Sequence, residues 1–302
     1  MFTNLYEKTY ELVKQIPRGK VSTYGAIARA LGDIIAARAV GVMLNQNPYK
    51  EVPCYRVIKS DGSLGGYATG IEKKIKLLKN DGIEIVNGRI DLTKYLFDDF
   101  ETDYPLKKLR QEQEELREKV VAEDDFEMGS IAGMDVSYTK RFAYGAYVEF
   151  DEEGNLIKKK VVKMEILFPY IPTYLAYREL PVLNELIKGE KPGIVMIDGN
   201  GLLHPRLFGI ACHFGVLHDV ATIGIAKKLL CGMEKNGHIF IGKRKVARRI
   251  GKIFVSPGNK ISVDSAHEIA KKFMRYSIPE PIRQAHMLAN EARRKDEMKN
   301  GD

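Results

Sequence analysis

Cysteine is scarce in this sequence: three residues in 302, Cys54, Cys212 and Cys231, scattered and without CxxC spacing. That excludes a disulfide framework and argues against a zinc site. Long apolar runs are missing as well, and the opening MFTNLYEKTY has no signal-peptide core. A soluble, cytoplasmic protein with no membrane partner is expected. What the chain does have is a 44% hydrophobic share, enough for packed cores, and length enough for two domains. Its formal net charge of +8 suits a polyanionic partner such as nucleic acid.

One stretch draws attention first, Val195-Met-Ile-Asp-Gly-Asn-Gly-Leu-Leu-His-Pro-Arg206. Its apolar start, Ile194 to Ile197, reads as a buried strand ending on Asp198. A carboxylate there is costly to desolvate unless a cation or hydrogen-bond donors meet it. Gly199 and Gly201 let the backbone turn tightly or approach a bound group.

In the first ninety residues, Leu5, Thr9, Leu12, Val13 and Ile16 recur at helical spacing, and Pro17-Arg-Gly19 stops that helix. Thr23 can cap a short helix, Tyr24 to Leu31, closed by Gly32. A second helix, roughly Ile35 to Asn45, follows a tight turn, so the pair reads as a helix-turn-helix unit. Its second member carries Ala36, Ala37, Ala39 and Gly41 around one cation, Arg38, and small side chains let a helix approach a groove closely. Cys54 lies in Pro53-Cys-Tyr-Arg56, beside a strand. It acts as a nucleophile only if donors or cations stabilise its thiolate. Residues 91–104, with the acidic cluster Asp98 to Asp103, read as a solvated linker or short edge element between a domain at 1–90 and one at 105–302.

Beyond Pro105, Leu106 to Val121 reads as a charged amphipathic helix. Ser130 to Tyr138, Ala143 to Phe150 and Ile157 to Ile166 read as strands, with Asp135 inside the first. Phe168-Pro-Tyr-Ile-Pro172 is a stiff turn holding Tyr170, suited either to packing on a core or to wedging between base pairs. In the helix from Thr173 to Ile187, Glu179 shares the inward face of Leu175 and Leu183. Ala221 to Lys227 is a buried strand ending in a cation, and Gly251 to Val255 another, leading into Ser256-Pro-Gly258. Near the end, Pro279-Glu-Pro281 starts a helix with His286 on its apolar face. Strands alternating with helices around three inward carboxylates suit a ribonuclease H-like α/β nuclease domain behind a small, mainly helical domain. Hard carboxylate ligands select Mg²⁺ or Mn²⁺.

Two resemblances sharpen these readings. The runs GKVSTYGAIARALG, AARAVG, PCYRV, DGSLGGYATG and KKIKLLKNDGI resemble the active-site domain of O6-alkylguanine-DNA alkyltransferases. That resemblance implies Cys54 as the alkyl acceptor, Arg38 as the residue replacing the flipped base, and Tyr24 protonating the leaving guanine. It also places Asn47 in the network behind the thiol. The family usually has a histidine where this chain has Tyr55, and a glutamate where it has Asp81. IAGMDVSY, FPYIPTYLAYRELP, MIDGNGLLHPRLFGIACHFG, TIGIAKKLLCG, FVSPGN and IPEPIRQAH are similar to endonuclease V, the deoxyinosine-directed repair nuclease. Here the resemblance implies Asp135, Glu179 and Asp198 as metal ligands, Lys227 and His286 in the active site, and Tyr170 as the wedge. Gly199 and Gly201 would line the lesion pocket. Asn259 replaces a usual histidine, and Thr173 and Leu180 replace usual glycines. Arg38, Asn47, Tyr55, Arg56, Tyr170 and His204 are the residues expected to meet DNA.

The expected partner is double-stranded DNA carrying deoxyinosine or O6-alkylguanine, bound by a monomer. Two alternatives stay open: a first domain that only recognises alkylated DNA, and a nuclease acting on inosine in RNA.

Overall fold

A computed structural model of the chain describes residues 3–300 and divides it into two compact units, Met1–Gln111 with Leu167–Pro172 and Glu112–Ile166 with Thr173–Asp302. In the first unit, Asn4 caps α1 (Leu5–Lys14), its side-chain oxygen accepting from the backbone of Tyr6 and Glu7. β1 (Ser22–Thr23) leads directly into α2 (Tyr24–Leu31). Thr23 Oγ1 accepts from Ala26 N at its start, and Gly32 ends it at φ +107°, a conformation that favours glycine. A 3₁₀ turn at Ile34–Ala36 feeds α3 (Ala37–Asn45). The expected second helix is therefore two pieces. A second 3₁₀ turn, Cys54–Arg56, presents the cysteine just before β2 (Val57–Ile58), which pairs parallel to β1.

α4 (Ile71–Asn80) and α5 (Leu92–Tyr95) complete the small core of Val21, Ile58, Leu64, Leu78, Ile83, Ile90 and Tyr95. This corrects the linker expected at 91–104. Tyr95 is buried, Val21 N donates to Tyr95 O, and Phe97 N donates to Val21 O. The acidic residues that suggested a solvated segment are real, but Tyr95 and the backbone pairing anchor the stretch. α6 (Pro105–Arg117) stops four residues short of Val121, whose N–H instead donates to Asn259 Oδ1.

The second unit is built on one nine-stranded sheet. Its strands in chain order are β3 (Ile131–Tyr138), β4 (Phe142–Phe150), β5 (Leu156–Glu165), β6 (Ile194–Asp198), β7 (Ala221–Ala226), β8 (Met233–Lys235), β9 (His238–Ile241), β10 (Arg244–Ile250) and β11 (Ile253–Asn259). Across the sheet the order is β5-β4-β3-β6-β7-β11-β10-β9-β8. β3, β6 and β7 are parallel, and the flanking pairs are antiparallel. Because side chains alternate along a strand, β6 sends Ile194 and Met196 to one face and Val195 and Ile197 to the other. The first face packs on α9 (Val263–Lys272) and α10 (Glu280–Asn300), the second on α7 (Leu175–Ile187) and α8 (Ile210–His218).

Gly133 fixes how close α10 comes. A Cβ there would lie 2.2 Å from the Pro281 carbonyl, so only glycine lets the helix start rest on β3. The three strands β8–β10 and helix α9 went unanticipated, and β11 runs on through Ser256-Pro-Gly258, beyond the strand expected at Gly251 to Val255. A register shift between Pro257 and Asn259 keeps that proline within the sheet.

Candidate active sites

In the second unit, three acidic or basic side chains converge where the parallel pairing of β3 with β6 ends. Met134 of β3 pairs with Ile197 of β6, which puts Asp135 and Asp198 beside each other, each one residue further on. Both fall on the sheet face covered by α10, and α10 brings His286. Ligand-capable atoms of Asp135, Asp198 and His286 lie within 4.8 Å of one another. His286 Nδ1 sits 2.6 Å from Asp135 Oδ2. β7 supplies the fourth member: Asp198 is paired with Ile225, and two residues later Lys227 Nζ donates to Asp198 Oδ2 at 2.6 Å.

The two aspartates are largely covered, at 10% and 20% side-chain exposure, while His286 is 48% exposed. His286 therefore stands at the rim of the apolar face of α10 and not within it, as Ile282, Ala285 and Ala289 do. Glu179 arrives from α7 on the opposite side of β3, deeply buried, its Oε1 accepting from the Tyr138 hydroxyl at 2.8 Å. It is not one of the three residues in the tight cluster.

The electrostatics describe a place short of positive charge. Burial above all, then Asp135 and Asp198, push the Glu179 carboxyl up to about 8. Burial and then Asp135 also raise Asp198, against the pull of Lys227. The hydrogen bond to Asp135 is the main reason His286 is raised. Hard oxygen donors, crowded and desolvated, fit a divalent cation, which would offset the repulsion directly. Glu179→Gln keeps the bond from Tyr138 and, at pH 9 where the carboxyl is ionised, removes a buried charge. At that pH it is expected to raise the melting temperature of EDTA-treated protein by about 2–4 °C for each kcal/mol released, with the gain fading below pH 8. Calorimetry in EDTA checks this, and a fall would reveal a cationic partner for Glu179.

Other expected site residues serve the scaffold. His204 is buried, accepts from Arg206 N at its Nδ1, and is pushed down to about 4 by burial. It is a neutral prop for the turn, turned inward rather than toward solvent. Arg206 is spent on Gln113 Oε1 and on Thr173. Thr173 adopts φ +69°, which explains why a glycine suits that position, whereas Leu180 fills core. A Cβ on Gly201 would meet Pro257 O at 2.0 Å, so this glycine is demanded by packing of the loop on β11. Tyr170 is 60% exposed, as a wedge must be, and its segment belongs to the first unit.

The first unit holds the second site. Tyr24, Gly41, Leu44, Asn45, Cys54, Gly66, Tyr67 and Ala68 line a cavity of about 340 Å³. Asn47 Nδ2 donates to Cys54 Sγ at 3.3 Å. Burial raises the Cys54 thiol, and raises Tyr24 too, with Cys54 as the second cause. Arg38 is exposed on α3. Tyr55 and Arg56, expected at DNA, are committed inward. The Tyr55 hydroxyl donates to Asp81 Oδ2 at 3.0 Å, Arg56 Nε donates to the same oxygen at 2.7 Å, and another Arg56 nitrogen donates to Ile16 O.

Sequence reasoning missed three residues. Tyr138 holds Glu179. Asn290, one helical turn beyond His286, places its Nδ2 3.1 Å from His286 Nε2. Lys74 is fully buried although charged, and its spacing four before Leu78 on α4 was the available signal.

A family model described as endonuclease V matches residues 114–287, and one described as the DNA-binding domain of 6-O-methylguanine DNA methyltransferase matches residues 4–83. The chain is 47% identical over 285 residues to a bifunctional methyltransferase/endonuclease of Picrophilus torridus, covering 94% of this chain and 95% of that protein. A protein of the same description from Thermoplasma volcanium is 40% identical over 290 residues, covering 94% and 89%. Among solved structures, endonuclease V of Ciona intestinalis, in complex with DNA containing an inosine followed by a ribo-adenosine, is 29% identical. It covers 64% of this chain and 99% of that one, with a TM-score of 0.59.

Proposed function

The chain belongs to the endonuclease V family and, over nearly its whole length, to the bifunctional methyltransferase/endonucleases of DNA repair, and from that premise we propose two chemistries. The second unit cleaves DNA at the second phosphodiester bond 3′ to deoxyinosine, using Mg²⁺ or Mn²⁺. The first removes alkyl groups from O6-alkylguanine by transfer to Cys54. The cluster of Asp135, Asp198, His286 and Lys227 at the ends of β3, β6 and β7 carries the first assignment. We read that unit as ribonuclease H-like, on the strength of antiparallel β3–β4–β5 joined to parallel β6 and β7.

Asp135, Glu179 and Asp198 would hold the metal, which supplies Lewis-acid activation of water and neutralises phosphate charge. The protein's own groups divide the remaining work. Lys227, held at Asp198, presents a cation to a phosphate oxygen. His286, with its Nδ1 engaged by Asp135, would take at Nε2 the proton given up when water attacks phosphorus, in place of the contact Nε2 makes with Asn290 Nδ2. The O3′ leaving group ends as a hydroxyl and the attacked phosphorus as a 5′-phosphate. Incubating matched deoxyinosine DNA and ribo-inosine RNA with the protein and Mg²⁺ tests the reading. Nicking of the DNA immediately 3′ to the lesion's 3′ neighbour supports it, and cleavage of RNA alone replaces the substrate.

At the other site, the thiolate of Cys54 attacks the alkyl carbon, the carbon–O6 bond breaks, and the guanine recovers a proton from Tyr24 or water. Such an atom is reached only in an extruded base. A recognition-only role has one observation in its favour: Tyr55 replaces the activating histidine and turns to Asp81. Peptide mass at Cys54 after exposure to O6-methylguanine DNA separates the two. The same bond means that Tyr55 is not the base for the thiol. Tyr55→Phe is expected to hold the transfer rate within about threefold, since one part-buried hydrogen bond, to an Asp81 that Arg56 still holds, is lost without touching Cys54. Single-turnover kinetics measure it.

A further inference from the structure

α10 rests on one face of β3, and its contacts step along both elements: Pro281 at Gly133, His286 at Asp135 and Asn290 at Ser137. Asn290 is half-buried. Its Nδ2 donates to the His286 backbone carbonyl at 2.9 Å, and its Oδ1 accepts from the Ser137 hydroxyl at 2.9 Å. A carbonyl oxygen only accepts, so the amide can stand only one way round. The second N–H of the same nitrogen then meets His286 Nε2 at 3.1 Å, and a ring nitrogen that accepts carries no proton. A neutral imidazole with a bare Nε2 has its proton on Nδ1, the atom 2.6 Å from Asp135 Oδ2. All of these contacts agree on one tautomer.

We propose that Asn290 is a positioning residue that keeps His286 out of the metal's ligand set, by holding the ring proton on the nitrogen that faces the carboxylates. The inference rests on the metal-dependent nuclease reading of that site. Asp135, Asp198 and His286 bring ligand-capable atoms within 4.8 Å of one another, a grouping that would also suit Zn²⁺. A histidine that ligates a metal donates its other N–H to an acceptor, and Asn290 presents a donor there instead. Asp135 alone does not enforce the tautomer, because a cation on its carboxylate competes with the imidazole for the same oxygens. Asn290 is held by Ser137 and by the helix backbone, so its grip on Nε2 is independent of what Asp135 binds. The donors left facing the cation are oxygens, the set that favours Mg²⁺ or Mn²⁺ over Zn²⁺. The lone pair kept at Nε2 is the one needed for the proton from water.

The test uses the full chain and needs no DNA. Zn²⁺ and Mn²⁺ affinities, measured by competition with a chromophoric chelator, are compared between wild type and Asn290→Leu, which keeps bulk and charge and removes the amide. The ratio of Zn²⁺ to Mn²⁺ affinity is expected to rise about fivefold or more, the worth of roughly one hydrogen bond, as His286 becomes free to ligate. Nitrogen-15 NMR of the imidazole in metal-free wild type at pH 9 checks the tautomer directly. A proton on Nδ1 and none on Nε2 is expected, and a proton on Nε2 overturns the proposal. A folded Asn290→Leu protein with an unmoved ratio overturns it equally. Should the leucine variant fail to fold, Ser137→Ala loosens the amide from its other end and must raise the ratio by at least about twofold. An unmoved ratio there also overturns the proposal. Failure to nick deoxyinosine DNA alongside a shifted ratio would instead strike the substrate reading of the nuclease alone.

Discussion

Asp198→Ala is expected to reduce nicking of deoxyinosine DNA by at least about 10³-fold, some 4 kcal/mol of transition-state stabilisation, while alkyl transfer at Cys54 continues. Asp198 stands at the end of the central parallel strand, next to Asp135 and bonded to Lys227 at 2.6 Å. Alanine removes an oxygen donor from a cluster with few to spare and releases Lys227 from its place. The fold should tolerate the change. Lys227 is half exposed and finds water in place of its partner, and one desolvated, mutually repelling carboxylate disappears. Nicking rates in Mg²⁺ and Mn²⁺, with circular dichroism as the control for folding, decide the matter. Asp198→Asn refines it, since an amide oxygen still accepts from Lys227 but donates less charge to a cation. Full activity in either variant would remove Asp198, and with it the carboxylate cluster, from the nuclease mechanism.

Why Asp198 was legible and other residues were not comes down to what a linear pattern can encode. A polar residue ending a run such as Ile194–Ile197 contradicts burial, and contradiction is visible in one dimension. Thr23 and Gly32 bracketed α2 because caps act locally. The burial of His204 is not legible locally, because the preceding Leu202 is held by the Pro257 carbonyl of β11, more than fifty residues later. Gly201 looked like a ligand-approach glycine for the same reason. Arg56 sits in a motif beside Cys54, and only the return of Asp81 from the end of α4 shows where its guanidinium goes. β8 and β9 are only three and four residues long, and β10 is rich in Lys and Arg, so alternation is too brief in the first two and blurred by charge in the third. Lys74 is the hardest of these. A lysine among lysines reads as a solvated face until three carbonyls are found around its nitrogen.

Cys54→Ser is expected to abolish alkyl transfer, by at least about 10³-fold, because a serine hydroxyl forms almost no anion at neutral pH and a thiolate is the far better nucleophile. Nicking at deoxyinosine should be unaffected. The cavity changes little, since oxygen replaces sulfur in a space lined by Tyr24, Asn45 and Gly66, and Asn47 can still donate to the new hydroxyl. Wild-type transfer should also depend on pH with a definite sign. Burial holds the thiol above its ordinary value, so at neutral pH the protonated form dominates. The thiolate fraction, and with it the rate, then climbs about tenfold per pH unit from 6 towards 8. Tyr24, also raised, stays a proton donor across this range. Single-turnover rates on O6-methylguanine DNA from pH 6 to 9 test the sign. A flat profile would mean that the thiolate is already formed at pH 6. Residual transfer in Cys54→Ser would move the acceptor elsewhere, with Cys212 disfavoured by complete burial and the half-buried Cys231 left as the site to examine by peptide mass.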